Sequence, residues 1–212
     1  METKKQKIFE FRGIDNLFIA KVLKDDAEGY TTETPVRLSY VAEVGKTTEA
    51  ASEPKYYDNK PMIVINSESA DKISIIMAPP ELEMLSNVIG KSFDKTTGMM
   101  VDSQRKNEYF AIMYRAKGTD GAYRYVSRLK GTFNIPEESN QTENDGTDST
   151  NTQVEFTGIF TEHEFTKGVW NGTEWEKGAA KGIVVDTRYG LADVSTFFEQ
   201  TQTPDTIEVK AE

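Results

Sequence analysis

Cysteine is absent from this 212-residue chain, and histidine occurs once, at His163. The first absence excludes a disulfide framework, a thiolate zinc site and a cysteine nucleophile. The second leaves little scope for imidazole chemistry. Long apolar runs are missing too. The opening METKKQKIFEF is charged and never becomes an apolar stretch of secretory length, and no later segment approaches a membrane span. The chain therefore reads as soluble, made in a cytoplasm and without a membrane partner. Cations are in the minority, 25 against 35 acidic side chains, and the resulting net charge of -10 has the wrong sign for gripping a phosphate backbone.

What is present is a chain of alternating segments. Hydrophobic residues make up 37% and aromatics 10%, spread widely enough for one folded domain over residues 1–212 with polar insertions. Ile14 to Leu23 is β-branched and apolar, and a polar turn follows it. Val36 to Val44 alternates, with Leu38, Tyr40, Ala42 and Val44 on one face and Arg37, Ser39, Val41 and Glu43 on the other. Gly45 to Asn66 holds two prolines and many small polar residues, and reads as a long loop or an extended excursion. Asp71 to Met77 is a short strand running into the clearest helix signal. There Pro79 and Pro80 stand at the entrance, Leu82, Leu85, Val88 and Ile89 form one stripe, and Gly90 supplies a left-handed exit.

Tyr109–Lys117 and Tyr123–Phe133 form a hairpin across GTDG, with two register parities open. If Lys117 faces Ala122, the apolar and tyrosine side chains share one face, and Arg115, Lys117, Arg124, Arg128 and Lys130 gather on the other as a basic stripe. Cross-strand repulsion costs roughly 0.2–1 kcal/mol per pair. An unpaired cation pushed toward the core costs several, so segregation is the expected outcome. A solvated outer face is the competing account of the stripe.

Residues 137–153 (EESNQTENDGTDSTNTQ) are polar and acidic and read as a flexible loop. From Thr152 to Phe165 alternation resumes, with Val154, Phe156 and Phe160 opposite Gln153, Glu155, Thr157 and Thr161. Trp170 and Trp175 follow in a glycine-rich stretch, then a strand at Ile183–Asp186, a short helix at Leu191–Gln200 and a loose tail after Pro204.

Chemical motifs are weak. His163 reads as a surface histidine. NDGTDSTN lacks the glycine spacing and closing glutamate of an EF-hand, and GAAKG is not a phosphate loop. No Ser, His and Asp set stands out, so the chain reads as a non-enzyme without a cofactor or metal. A β-rich fold with long strands and no catalytic set points to assembly, because strand edges seek partners. A monomeric β-sandwich that binds a carbohydrate or peptide through Trp170, Trp175 and the tyrosines is the alternative.

Taken in order, IDNLFIAKV, TPVRLSYVAEVG, an excursion carrying YYDN, ISIIMAPPELEMLSNVIGKSFD, YFAIMYRAKGTDGAYRYVSRLKGTFNIPEES, TQVEFTGIF and LADVSTFFEQ resemble the major tail protein family of long-tailed, non-contractile bacteriophages. The likeness covers most of the chain and rests on the order of the segments. The acidic loop and the tryptophan-containing stretch depart from the pattern. The resemblance implies a mainly β fold, a β-sandwich or split β-barrel with one flanking α-helix, a short C-terminal helix and long loops. It implies hexameric rings stacked into a virion tail tube around a tape measure protein, assembled in the host cytoplasm and capped by tail terminator and distal tail proteins. DNA then crosses the lumen without specific binding. The Gly45–Asn66 excursion, with Tyr56, Tyr57 and Asp58, becomes the inter-ring loop, and the termini become arms. Glu43, Glu155 and Thr157, on polar strand faces, are the expected lumen residues, where carboxylates repel phosphates over roughly 8 Å at physiological salt. The basic stripe becomes an assembly face that offsets the repulsion between acidic subunits.

Overall fold

The computed structural model describes residues 8–136 and 151–210. The acidic loop expected at 137–153 lies outside the described residues except for 151–153, of which Thr152 and Gln153 already belong to a strand. The fold is mainly β. In chain order the strands are β1 (Phe11–Asp26), β2 (Gly29–Thr32), β3 (Val36–Ser39), β4 (Val41–Tyr57) and β5 (Lys60–Met77). Helix α1 (Leu82–Ile89) follows, then β6 (Ser92–Asp94), β7 (Met99–Val101), β8 (Phe110–Gly118), β9 (Tyr123–Phe133), β10 (Thr152–Gly158), β11 (Glu164–Trp170), β12 (Trp175–Ala179) and β13 (Gly182–Asp186).

The main sheet is antiparallel, in the order β2-β1-β8-β9-β10-β5-β4, with β3 also on β1 and β13 also on β9. β3 and β4 are successive parts of one run broken at Tyr40. The first part pairs with β1 and the second with β5, so the two margins of the sheet are drawn together through this run. The enclosed side is the principal core. Leu17 and Ile19 of β1, Leu38 of β3, Ile73, Ile75 and Met77 of β5, Phe110, Ile112 and Tyr114 of β8, Val126 and Phe133 of β9, and Val154 and Phe156 of β10 meet there. Val88 of α1 packs onto it. A second core on the outer face of β8 and β9 joins Met113 and Tyr125 to Phe197, with Phe18, Ile183, Val185, Val194 and Phe198 around them. β8 is thus buried on both faces along Phe110–Tyr114.

Several expectations about local structure are corrected. The alternation expected across Val36–Val44 is interrupted. A register shift between Val41 and Glu43 turns Leu38, Val41 and Val44 toward the core, while Tyr40 is 74% exposed. Of the two readings of Gly45–Asn66 the extended one holds: Gly45–Thr48 pair within the main sheet and the rest is the outer part of the β4–β5 hairpin, so Asp71–Met77 is only the end of an 18-residue strand. No α-helix forms at Leu191–Gln200. Isolated i to i−3 bonds (Phe197 N–H to Val194, Glu199 N–H to Thr196) and the Asp193 carboxylate accepting from Ser195 N–H hold turns there instead. Asp, Ser and Thr side chains compete for the N–H groups a helix would use. The tail is pinned rather than loose: Asp205 accepts from Thr166 N–H, Lys167 N–H and the Thr166 hydroxyl at 2.6–3.0 Å, and Ala192 bridges to Val209. α1 begins and ends as its signals predict, with Gly90 left-handed at φ 72°.

Gly131 shows how tightly the core is closed. A methyl group there would run into the Phe156 ring and the Thr157 carbonyl. Gly131→Ala is expected to cost about 1–3 kcal/mol by overpacking, read as a lower urea midpoint with an unchanged slope.

Candidate assembly surfaces

The β4–β5 hairpin leaves the main sheet at an irregularity. Thr48 faces Asp71, the next pair is Ala50 with Glu68, and from there to the tip the two strands pair only with each other. At about 3.3 Å per residue, Ala50 to Tyr57 reaches roughly 25 Å. Asp58 and Asn59, at φ 50° and 61°, form the two-residue turn between Tyr57 and Lys60 that suits strand twist. Lys55, Ile63, Glu53 and Ile65 share one face of this arm, and Pro54, Val64, Ser52 and Asn66 share the other. Tyr56, Tyr57, Met62, Ile63, Val64 and Ile65 are each at least half exposed. The structure therefore brings Tyr56 and Tyr57 to the arm's end, and gives Asp58 a turn-forming role.

Glu43, Glu155 and Thr157 fall on one surface. Glu43 and Gln153 flank Ile76, Gly45 and Glu155 flank Ser74, and Thr47 and Thr157 flank Lys72. With Val154 and Phe156 buried, this is the outward side of β10-β5-β4. Among the described residues no ion pair engages Glu43 or Glu155, whereas Lys72 is held by Glu49 at 2.7 Å.

The basic stripe does not form, and the register is the reason. Lys117 faces Tyr123, not Ala122. Gly118 N–H bonds the Ala122 carbonyl, and Gly121 at φ 83° completes a three-residue loop. Arg115 and Lys117 consequently share the face of Tyr125 and Tyr123, while Arg124 and Arg128 share the face of Ile112, Tyr114 and Val126. The expected penalty for cations near the core is removed by carboxylates from distant segments. Arg115 grips Asp15 through two bonds of 2.8 Å and lies 4.3 Å from the Tyr123 ring centre. Arg124 pairs with Asp186 at 3.0 Å and Arg128 with Asp71 at 3.6 Å. Lys130, 5% exposed, donates to Asp25 at 2.6 Å and Glu162 at 3.1 Å. Lys117 is exposed. Lys117→Glu is accordingly expected to leave the melting temperature unchanged. Arg128→Glu sets a carboxylate against buried Asp71 and is expected to cost several kcal/mol, on the order of 3–5, in the same measurement.

The buried carboxylates were not singled out from the sequence. Asp71, 1% exposed, receives the Thr48 hydroxyl at 2.8 Å and is ringed by Lys46 at 3.2 Å, Lys181 at 3.5 Å and Arg128 at 3.6 Å. Burial raises its pKa, but the Thr48 bond and the charges of Lys46 and Lys181 outweigh that and hold it below the usual carboxylate range. Asp25 behaves alike: burial is outweighed by Lys130 and by the N–H groups of Glu162 and His163. A signal existed, since Asp71 is in phase with Ile73, Ile75 and Met77 and so points with the apolar face.

Trp170 and Trp175 form the last pair of the β11–β12 hairpin, their ring centres 5.4 Å apart, tilted by 59° and about half exposed. Asn171 closes the turn by accepting from the N–H groups of Thr173 and Glu174. His163 sits edge-on to Phe165, with Nδ1 3.2 Å from the Asp26 carbonyl. Among the described residues no cluster of His, Asp and Glu could hold a metal ion, and no helix is long and apolar enough to cross a membrane. A scan against protein-family models finds no match, and a search of the curated proteins finds none either.

Proposed function

We propose that this chain is a structural subunit that polymerises, a tail tube protein of the kind it resembles, in which copies form hexameric rings stacked around a tape measure protein. The observation that carries this reading is the arm. A two-stranded ribbon with no third strand is marginal in water, and this one displays apolar side chains on both faces and open backbone edges. Such a ribbon is completed by a surface outside its own chain, and a second copy meets that need. In the tube the arm is the inter-ring contact, and tail terminator and distal tail proteins cap the ends. The tube belongs to the virion tail and is built in the host cytoplasm.

Two further features agree with this function. The net charge of -10 and Glu43 and Glu155, which have no ion pair among the described residues and lie on one polar sheet face, suit a wall along which DNA slides without binding. The ion pairs inside the subunit leave Lys117 as the exposed member of the expected stripe, so association rests on the arm rather than on a cationic face. The protein acts without catalysis, cofactor or metal.

Electron microscopy of the concentrated purified chain is expected to show rings or tubes. A chain that stays monomeric at every salt and pH overturns the reading. The exposed tryptophan pair favours the second one, a monomeric module for a carbohydrate or peptide, although the 59° tilt makes a projecting knob rather than a flat stacking platform. Saturable tryptophan quenching by soluble glycans or peptides, from a chain that never assembles, would select it.

A further inference from the structure

Arm and sheet are joined at a single irregular point. Between the Thr48–Asp71 and Ala50–Glu68 pairs, Glu49 alone stands opposite Ser69 and Ala70, two residues against one. An unmatched residue of this kind unpairs the ladder locally and bends the strand. Lys181, in the turn before β13 and only 7% exposed, spans the break. Its ammonium donates to Glu68 Oε1 at 2.8 Å and to the Ser69 carbonyl on the arm side, and lies 3.5 Å from Asp71 Oδ1 on the sheet side. The Phe160 ring centre is 4.8 Å from Nζ. The three protons of an ammonium match these three acceptors.

The two sides of the break are not equally secured. Asp71 keeps Thr48, Lys46 and Arg128 whatever Lys181 does. Glu68 and Ser69 have no other side-chain tether among the described residues. Lys72 to Glu49 at 2.7 Å, the one other ion pair across the break among the described residues, is half exposed on both partners and weakly constraining.

We infer that the bulge is a hinge and Lys181 its clasp: one buried ammonium fixes the direction in which the arm leaves the sheet. With the clasp closed the arm is held ready in one orientation, which lowers the ordering cost of whatever it docks to. With the clasp open the arm swings about Glu49, Ser69 and Ala70 while the core stays intact. The device is a property of the single chain and does not depend on the tube reading.

The absence of cysteine makes the test direct. Spin labels at Lys60→Cys beside the arm turn and Lys117→Cys at the end of β8 report one distance, read on dilute chain that sediments as monomer so that no neighbouring copy holds the arm. Double electron–electron resonance is expected to give a single narrow distribution for the otherwise unaltered chain, and loss of that narrow peak in Lys181→Met. Glu68→Lys, which repels Lys181 from an exposed position and spares the Asp71 cluster, covers the case in which Lys181→Met fails to fold. A distribution already broad without either change, or one still narrow in Glu68→Lys or in a folded Lys181→Met chain, overturns the inference.

Discussion

Asp71→Asn is expected to remove about 3–5 kcal/mol of stability, a large share of the roughly 5–15 kcal/mol that holds a typical domain together. The size follows from what surrounds the carboxylate. Asp71 is 1% exposed, and Lys46, Lys181 and Arg128 converge on it within 3.2–3.6 Å. An amide of the same shape keeps the Thr48 hydrogen bond but takes the counter-charge from Lys46 and Arg128 and leaves Lys181 with Glu68 alone. Urea unfolding should show a lower midpoint with little change in slope, because the surface exposed on unfolding is the same. Asp120→Asn, at the partly exposed Arg188 pair, is the contrast and should do much less. A midpoint shift for Asp71→Asn no larger than that of Asp120→Asn would contradict the burial argument.

The same geometry sets the acid limit. Asp71, Asp25 and Asp186 are all held below the usual carboxylate range in the folded chain, burial being outweighed at Asp186 by the Arg188 N–H and by the charges of Arg188 and Arg124. A carboxylate with a depressed folded pKa contributes stability that is fully present above its unfolded value, about 3.9, and is lost as pH falls through the folded value. Stability should therefore be level from neutral pH down to about 5 and fall steeply below about 4. In Asp71→Asn the fall should be shallower.

Replacing residues 50–68 by an Asn-Gly turn is expected to abolish assembly and leave the fold in place. Neither core contains an arm residue, and the Thr48–Asp71 pair that precedes the bulge is retained. What is lost is the apolar ribbon. Ile63, Val64 and Ile65 are already half buried, so completing their burial is worth about 0.75–1.5 kcal/mol each, and association should weaken by about two to three orders of magnitude. Sedimentation velocity should show monomer at concentrations where the full chain sediments as polymer, with an unchanged β-type circular dichroism spectrum. Polymer from the armless chain would remove the arm from the assembly argument.

The strands with clean alternation were legible because a face that is buried writes a period of two into the sequence. β10 is the clearest case, with Val154 and Phe156 inside and Glu155 and Thr157 outside. The stop signals around α1 were equally readable, since proline and glycine act through local backbone geometry. The arm was not, because a strand that buries neither face within its own chain has no such period. PMIVIN and the small polar residues opposite it look like loop until the pairing is seen. The helix expected at Leu191–Gln200 misled for the opposite reason: Val194 and Phe198 do pack on a core, but from turns rather than from a helix.

Composition and local pattern by themselves determined that this is an acidic β protein with a helix at α1, no disulfide and a polar side to β10, while the second helix they suggested at Leu191–Gln200 does not form. Only the tertiary structure decided the hairpin register, the pairing of each core-facing cation with a carboxylate, and the arm. These depend on which distant segments meet. Asp71 and Arg128, or Asp25 and Lys130, are far apart along the chain, and the cost of turning a charge inward is set by a partner that no local spacing reveals.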